Sequence, residues 1–332
     1  MTKSNAGGIR LLPAPERAKF IDPDYYIWCG SMVRAPEGLC HLFYSRWPRR
    51  LGHNAWVTHS EIAHAVSHHP LGPYRHRDVA LAPRGAQYWD GLCTHNPTVL
   101  ACGGKYYLYY MGNTGDGRAL RELNWVHRGN QRVGVAVADH PDGPWLRQDL
   151  PLIDSDPGFH DAICATNPSV TARVGGGFLM VYKAVADRLP PPGYGPVVHI
   201  VAESDNPTGP FQKHPAPIFK AEGAAFPAED PFIWQSGTGY RAIVKDMGGY
   251  FTGAGRSLAT FSSANGRDWL LDSSPLLSTT QILWESGQVQ PLMALERPQL
   301  WLDNDTGILF CAACTDGEHS FNVHIPVEVL HK

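Results

Sequence analysis

The 332-residue chain has no apolar run approaching the ~20 residues of a membrane-spanning helix. Its start, "MTKSNAGGIR", carries no apolar core of a secretory signal, so a cytoplasmic location is expected. Charge of one sign is not in excess. Lys and Arg number 28 against 31 Asp and Glu, a net charge of −3, and the chain lacks the basic field that nucleic acid or an anionic membrane surface would require. The densest basic cluster, "RWPRR" (46–50), reads as a solvated loop. Charged residues are only 18% and hydrophobic residues 43%, which supports a sizeable core and excludes general disorder. Cysteines are few, odd in number and scattered (29, 40, 93, 102, 164, 311, 314). The lone CxxC, Cys311 and Cys314, has no second pair and no histidine at finger spacing, so no structural zinc is expected. Small buried thiols in a reducing compartment fit this usage. Long stretches of 3.6-residue periodicity are missing too.

What is abundant is punctuation and aromatics: 34 Gly, 28 Pro, ten Trp and thirteen Tyr. Short apolar runs bounded by turn residues indicate an all-β protein. The runs repeat five times. A first strand follows a polar motif in "CGSMVRAPEG", "HNPTVLACGG", "TNPSVTARVGGG", "EDPFIWQSGTG" and "ERPQLWLDNDTG". A second, more apolar strand follows each, as in "YYLYYMGN" and "FLMVYKAV", and a third follows in turn. Three copies then share a turn, "HHPLGPY", "DHPDGPW" and "DNPTGPF". A small antiparallel unit cannot bury both of its faces alone, but radial neighbours cover them. The expectation is one five-bladed β-propeller, with blades near 22–74, 88–145, 159–211, 226–269 and 294–327. The segment "GIRLLPAP" (8–15) is placed to close the ring against the last blade.

In a propeller the polar motifs that open the first strands converge on the axis. They supply Asp22, Asp24, Asp90, His95, Asn96, Asp161, Asn167, Glu229, Asp230, Glu296 and Arg297. Asn-Pro and Asp-Pro are also ordinary turn devices, a reading that stays open for Asn96, Asn167 and Asp161. Glu229-Asp230 and Glu296-Arg297 exceed what a turn needs. Carboxyls crowded in a closed funnel have their pKa values driven apart, as glycoside hydrolysis requires. Trp89, Tyr25, Tyr26 and Trp28 suit stacking on a sugar, or plain packing.

The order of these motifs over residues 20–327 resembles the five-bladed glycoside hydrolase families 32, 43, 68 and 117. "DYYIWCGSMV", "AEDPFIW" and "LERPQL" are most similar to family 117 and family-43-like proteins. The resemblance implies exo action with inversion on an oligosaccharide, releasing a galactose-, anhydrogalactose- or arabinose-type sugar. It matches Asp24 to the catalytic base and Glu229 to the family 43 acid. Asp230 matches the family 117 residue that tunes the acid. Asn167 departs from the family 43 pattern, which has Asp there. The fifth-blade histidine acid of family 117 is replaced by Leu295 beside Glu296, leaving Glu296, His319, His324 or His95 as substitutes.

The expected catalytic set is therefore Asp24, Glu229, Asp230 and Glu296. Asp90, His95, Asn96, Asn167, Lys183, Lys245, Arg297, His319 and Trp89 are expected to bind substrate. Loops 112–131 and 185–196 are expected to wall the pocket. No cofactor or metal is expected, and an axial cation has no evident ligand set. The sequence gives no oligomeric state. A non-catalytic sugar-binding propeller and a glycoside phosphorylase are the alternatives. The second would need several convergent cations, and only Arg297 lies in an inner-strand motif.

Overall fold

The structure is a computed structural model that describes residues 8–330. Five antiparallel blade sheets follow in chain order around one axis, with a two-stranded hairpin, Gln281–Leu283 and Val289–Pro291, between the fourth and fifth. The innermost strands are Tyr25–Arg34, Cys93–Cys102, Cys164–Ala172, Ala228–Ser236 and Ala294–Asp303. Second strands follow at Cys40–Pro48, Lys105–Asn113, Phe178–Val185, Gly239–Asp246 and Thr306–Cys314. Third strands follow at Glu61–Ser67, Arg132–Ala138, Val197–Ser204, Ser257–Ser263 and Ser320–Val329.

The second strands read as continuous apolar runs because both of their faces are covered. Leu179 and Val181 of blade 3 pack on Ile233, Ala242 and Val244 of blade 4. Met180 and Tyr182, on the opposite face of the same strand, pack on Tyr109 and Val135 of blade 2. The two-residue period of a strand thus sends alternate side chains into two different inter-blade cores. Three further cores of this kind join blades 4 and 5, 5 and 1, and 1 and 2.

Outer strands complete four sheets at Arg75–Leu81, Leu146–Arg147, Gln212–Lys213 and Leu270–Thr279. The sheets therefore run past the expected blade ends, most clearly in blade 4, which continues to Thr279 rather than 269. These edge strands are short or largely exposed, so they carry little apolar signal. The fifth sheet takes its outer strand from the start of the chain. Ile9, Arg10 and Leu11 pair antiparallel with Val329, Glu328 and Val327, and Lys19–Phe20 pairs further along the same strand. Closure by the 8–15 segment is thereby borne out.

Candidate active site

Each inner strand is broken by a bulge near its start. Register shifts fall at Trp28/Ser31, His95/Thr98, Thr166/Ser169, Glu229/Phe232 and Glu296/Gln299. At each bulge one residue has left-handed backbone: Cys29 at φ 54° and Asn96, Asn167, Asp230 and Arg297 at 53°. Asn and Asp tolerate that region, whereas Cys and Arg are unusual there. Pro follows in four blades and Gly30 in the first.

The five left-handed residues are joined to one another. The Cys29 thiol donates to Asn96 Oδ1 at 2.7 Å, and Asn96 Nδ2 donates to Asn167 Oδ1 at 2.6 Å. Asn167 Nδ2 donates to Asp230 Oδ1 at 2.8 Å. Asp230 also accepts from the Arg297 backbone N–H at 3.2 Å and from its Nη1 at 3.4 Å. The charge of the Arg297 guanidinium acts on the Cys29 thiol, although its Nε and Nη2 have no hydrogen-bond partner. All five are buried. Burial pushes the Cys29 thiol up to about 12, so it stays protonated and can donate. The ring is a floor across the axis: a structural role for Asn96, Asn167, Asp230 and Arg297 that also brings them to the base of a pocket.

The pocket above this floor has a volume of about 170 Å³. Trp28, Trp47, Trp56, His53, His95 and Gln131 line it from blades 1 and 2, and Lys183, Glu229 and Glu296 from blades 3 to 5. Glu229 and Glu296 occupy equivalent positions, each immediately before a left-handed residue. Lys245 stands directly opposite Glu229 in the sheet, and Lys183 holds the same place in blade 3, opposite Thr166. Each lysine reaches one blade onward. Lys183 pairs with Glu229, and Lys245 pairs with Glu296 while standing 3.3 Å from Glu229 Oε2. The result is an alternating chain Lys183–Glu229–Lys245–Glu296.

This arrangement separates the two glutamates. Burial works against the charged form of Glu229, but Lys183 and Lys245 together outweigh it and hold its carboxyl well below the usual range. Glu296 has one lysine, and burial with the charges of Asp230 and Glu229 raises it above the usual range. Asp230 is also raised, by burial first and by Glu229 second. His95 is held neutral by burial and by Arg297. Its Nδ1 lies 2.7 Å from Ser60 Oγ and its ring stacks on Trp56 at 4.8 Å.

Several expected site residues lie elsewhere. Asp24 is exposed and lines a separate open cavity of about 800 Å³ with Arg49, Arg50, Arg121 and Glu318, sharing no lining residue with the axial pocket. The axial position of blade 1 belongs to Cys29, five residues later in the chain. Asp90 is fully buried against Arg84 at 2.7 Å, Arg147 at 3.1 Å and Tyr110 Oη at 2.7 Å. Asp161 repeats that role with Tyr182 and Lys213. Trp89 stacks on Tyr110 and packs the blade. His319 is exposed and paired with Asp316, and His324 is buried against Tyr74 and Phe310. Glu229, expected as the acid, is the more ionised glutamate of the two.

Of the expected wall loops, 112–131 contributes Gln131 and 185–196 contributes nothing to the pocket lining. The wall comes instead from Trp47 and from His53 and Trp56, in a segment between the second and third strands of blade 1. The length of the 49–60 connection and its "HNAW" were the available signals.

No protein-family model and no curated protein matches the sequence. Solved structures do match over almost the whole chain. A family 117 glycoside hydrolase from Zobellia galactanivorans is 18% identical with a TM-score of 0.65, covering 98% of this chain and 91% of its own. A family 43 β-xylosidase/α-arabinofuranosidase from a compost metagenome, solved with xylotriose, is 15% identical with a TM-score of 0.64, covering 97% and 96%. Another protein, described as a glycoside hydrolase, is 16% identical with a TM-score of 0.71, covering 98% and 92%. The chain has the five-bladed propeller fold of the family 117 and family 43 glycoside hydrolases. At these identities the likeness establishes that shared fold.

Proposed function

We propose that this propeller is an exo-acting glycoside hydrolase in which Glu296 is the general acid and Glu229 the ionised partner. The observation that carries the reading is the pair itself: two glutamates in one aromatic-walled pocket, driven to opposite sides of the ordinary range. Such a split assigns acid and base roles. The names of the structural neighbours make a sugar the natural occupant. At about 170 Å³ the pocket is well below the ~300–1,000 Å³ of drug-sized sites and suits one terminal ring rather than a run of sugars. Trp28, Trp47 and Trp56 give that ring an apolar wall, and Lys183 and Gln131 line the same pocket with donors for its hydroxyls.

In the proposed reaction the Glu296 proton passes to the glycosidic oxygen as the bond to the anomeric carbon breaks. Glu229 takes a proton from the water that attacks that carbon, giving inversion. An inverting pair stands ~6.5–9.5 Å apart with water between. Lys245 now bridges the two, which keeps their nearest oxygens within about 6 Å, twice a hydrogen-bond length. Inversion therefore requires the two carboxyls to move apart as sugar enters and Lys245 is drawn aside, while Lys183 stays on Glu229 and keeps it ionised.

One observation favours a second reading. Blade 1 places a neutral thiol, Cys29, at the axis where a carboxylate was expected, so a sugar-binding propeller without turnover is the alternative. A panel of galactose-, anhydrogalactose- and arabinose-containing oligosaccharides distinguishes the two. Hydrolysis predicts release of a single monosaccharide from one chain end, with the inverted anomer first in the NMR spectrum. Saturable binding without any released sugar would select the alternative.

A further inference from the structure

Away from the axis, where blade 2 docks on blade 1, three side chains from three segments converge. His41 lies on the second strand of blade 1, His64 on the third, and Asp142 in the turn of blade 2. His41 Nδ1 is 2.9 Å from His64 Nε2 and 3.5 Å from Asp142 Oδ1. One ligand atom from each residue lies within 4.8 Å of the other two. Both histidines are buried, and Asp142 opens the cluster to solvent.

The atoms around the cluster orient it. His64 Nδ1 is 3.2 Å from Asp78 Oδ1, the residue opposite it in the sheet. The Nδ1–H of His64 therefore points at Asp78, and its Nε2 presents a bare lone pair toward His41. Arg77 holds the far oxygen of Asp142 at 3.0 Å and leaves Oδ1 facing His41. This is the carboxylate–histidine support that accompanies metal-bound imidazoles.

His41 shows what these contacts lack. A neutral imidazole has one N–H. If Nδ1 donates it to His64, Nε2 is left as a bare lone pair, fully buried, without a hydrogen-bond partner and 3.8 Å from the Glu37 carboxylate. Two acceptors then face each other. If Nε2 keeps the proton, it faces Glu37 at 3.8 Å but two bare nitrogens meet at 2.9 Å. A cation accepting both lone pairs removes the conflict.

We propose that His41 Nδ1, His64 Nε2 and Asp142 Oδ1 bind a divalent transition metal of the zinc type, clamping blade 2 to blade 1. The donor set, two imidazoles and a carboxylate, matches that class. Zinc–nitrogen bonds of ~2.0–2.1 Å at a tetrahedral angle put the nitrogens roughly 3.3 Å apart, so the two rings, now near-parallel and 5.1 Å between centroids, must turn as well as open to bring both lone pairs onto one ion. Binding moves the His41 proton to Nε2, on the side of the Glu37 carboxylate 3.8 Å away. The expectation of no zinc rested on cysteine spacing alone, and this set contains no cysteine.

The test is calorimetric titration of chelator-treated full-length protein with Zn²⁺, repeated with Co²⁺ while its visible absorption is followed. The expected result is one saturable equivalent, a Co²⁺ spectrum of low-coordinate type and a raised Tm. His64→Gln should abolish binding, and Asp142→Ala should weaken it at least ~10-fold. Asp142 is exposed, so its variant remains informative if His64→Gln fails to fold. Absence of one-to-one binding, or an affinity unchanged in Asp142→Ala, would overturn the proposal.

Discussion

Glu229 and Glu296 share a strand position and a lysine, yet they titrate apart because Glu229 has two ammonium neighbours and Glu296 has one. The pH dependence of kcat/KM should follow. Activity falls on the acid side as Glu229 gains a proton, at a pH below the ordinary carboxylate range, and on the alkaline side as Glu296 loses one, at a pH above it. Glu296→Gln should remove the alkaline limb. The same shifts enter stability with opposite signs. The depressed Glu229 stabilises above its unfolded pKa of ~4.3, and that contribution is lost as pH falls through its folded value. The raised Glu296 and Asp230 contribute fully below their unfolded values, and lose that contribution as pH rises through their folded ones. Asp90 lies outside the lining of the axial pocket. Asp90→Asn should leave kcat unchanged in folded protein and lower stability by about 3–5 kcal/mol, because Arg84 and Arg147 lose a buried counter-charge. Urea unfolding measures the loss. Residue type made Glu229, Glu296, Lys183 and Lys245 visible in the sequence. It equally suggested Asp24 and Asp90, because an acid near a strand start reads the same whether it reaches the axis or ties a tyrosine.

The element that sorts these candidates is the bulge. Without it Glu229 and Asp230 would face opposite sides of a strand. With Asp230 at φ 53°, both line the axis, Glu229 in the pocket and Asp230 in its floor. The repeat of Asn-Pro, Asp-Pro and Arg-Pro marked four of the five bulges in the sequence. Cys29-Gly30 carries no such mark, and the family resemblance points to Asp24 instead. Gly30 is required there for its own reason. A Cβ at this position would lie 2.0 Å from Asn322 Oδ1 on blade 5. Gly30→Ala should therefore cost about 1–3 kcal/mol in denaturant unfolding, as overpacked cores do. Adding Asn322→Ala should recover a measurable part. A purely additive loss in the double variant would show that the strain lies elsewhere.

At the scale of the molecule, repetition made the fold legible: five copies of one strand order leave few arrangements that cover every face. The outer strands were not legible, being short, exposed and without apolar alternation, and the blade 1 segment that walls the pocket showed only in the length of the 49–60 connection. Closure rests on the short pairings of Ile9–Leu11 and Lys19–Phe20 with the last strand, and Ile9 is buried among blade 5 side chains. Ile9→Ala should lower stability by about 2–5 kcal/mol, read as a shifted unfolding midpoint. The ring holds the two glutamates above one floor, and the proposed activity rests on their division of labour. The most direct measurement is turnover of glycosides with graded leaving groups by wild type, Glu296→Gln and Glu229→Gln. Glu296→Gln should lose about 10²–10⁴-fold on poor leaving groups and recover on good ones, which need no protonation, while Glu229→Gln stays slow on both. Equal losses on both substrate types for Glu296→Gln, or rescue of Glu229→Gln instead, would contradict the assignment.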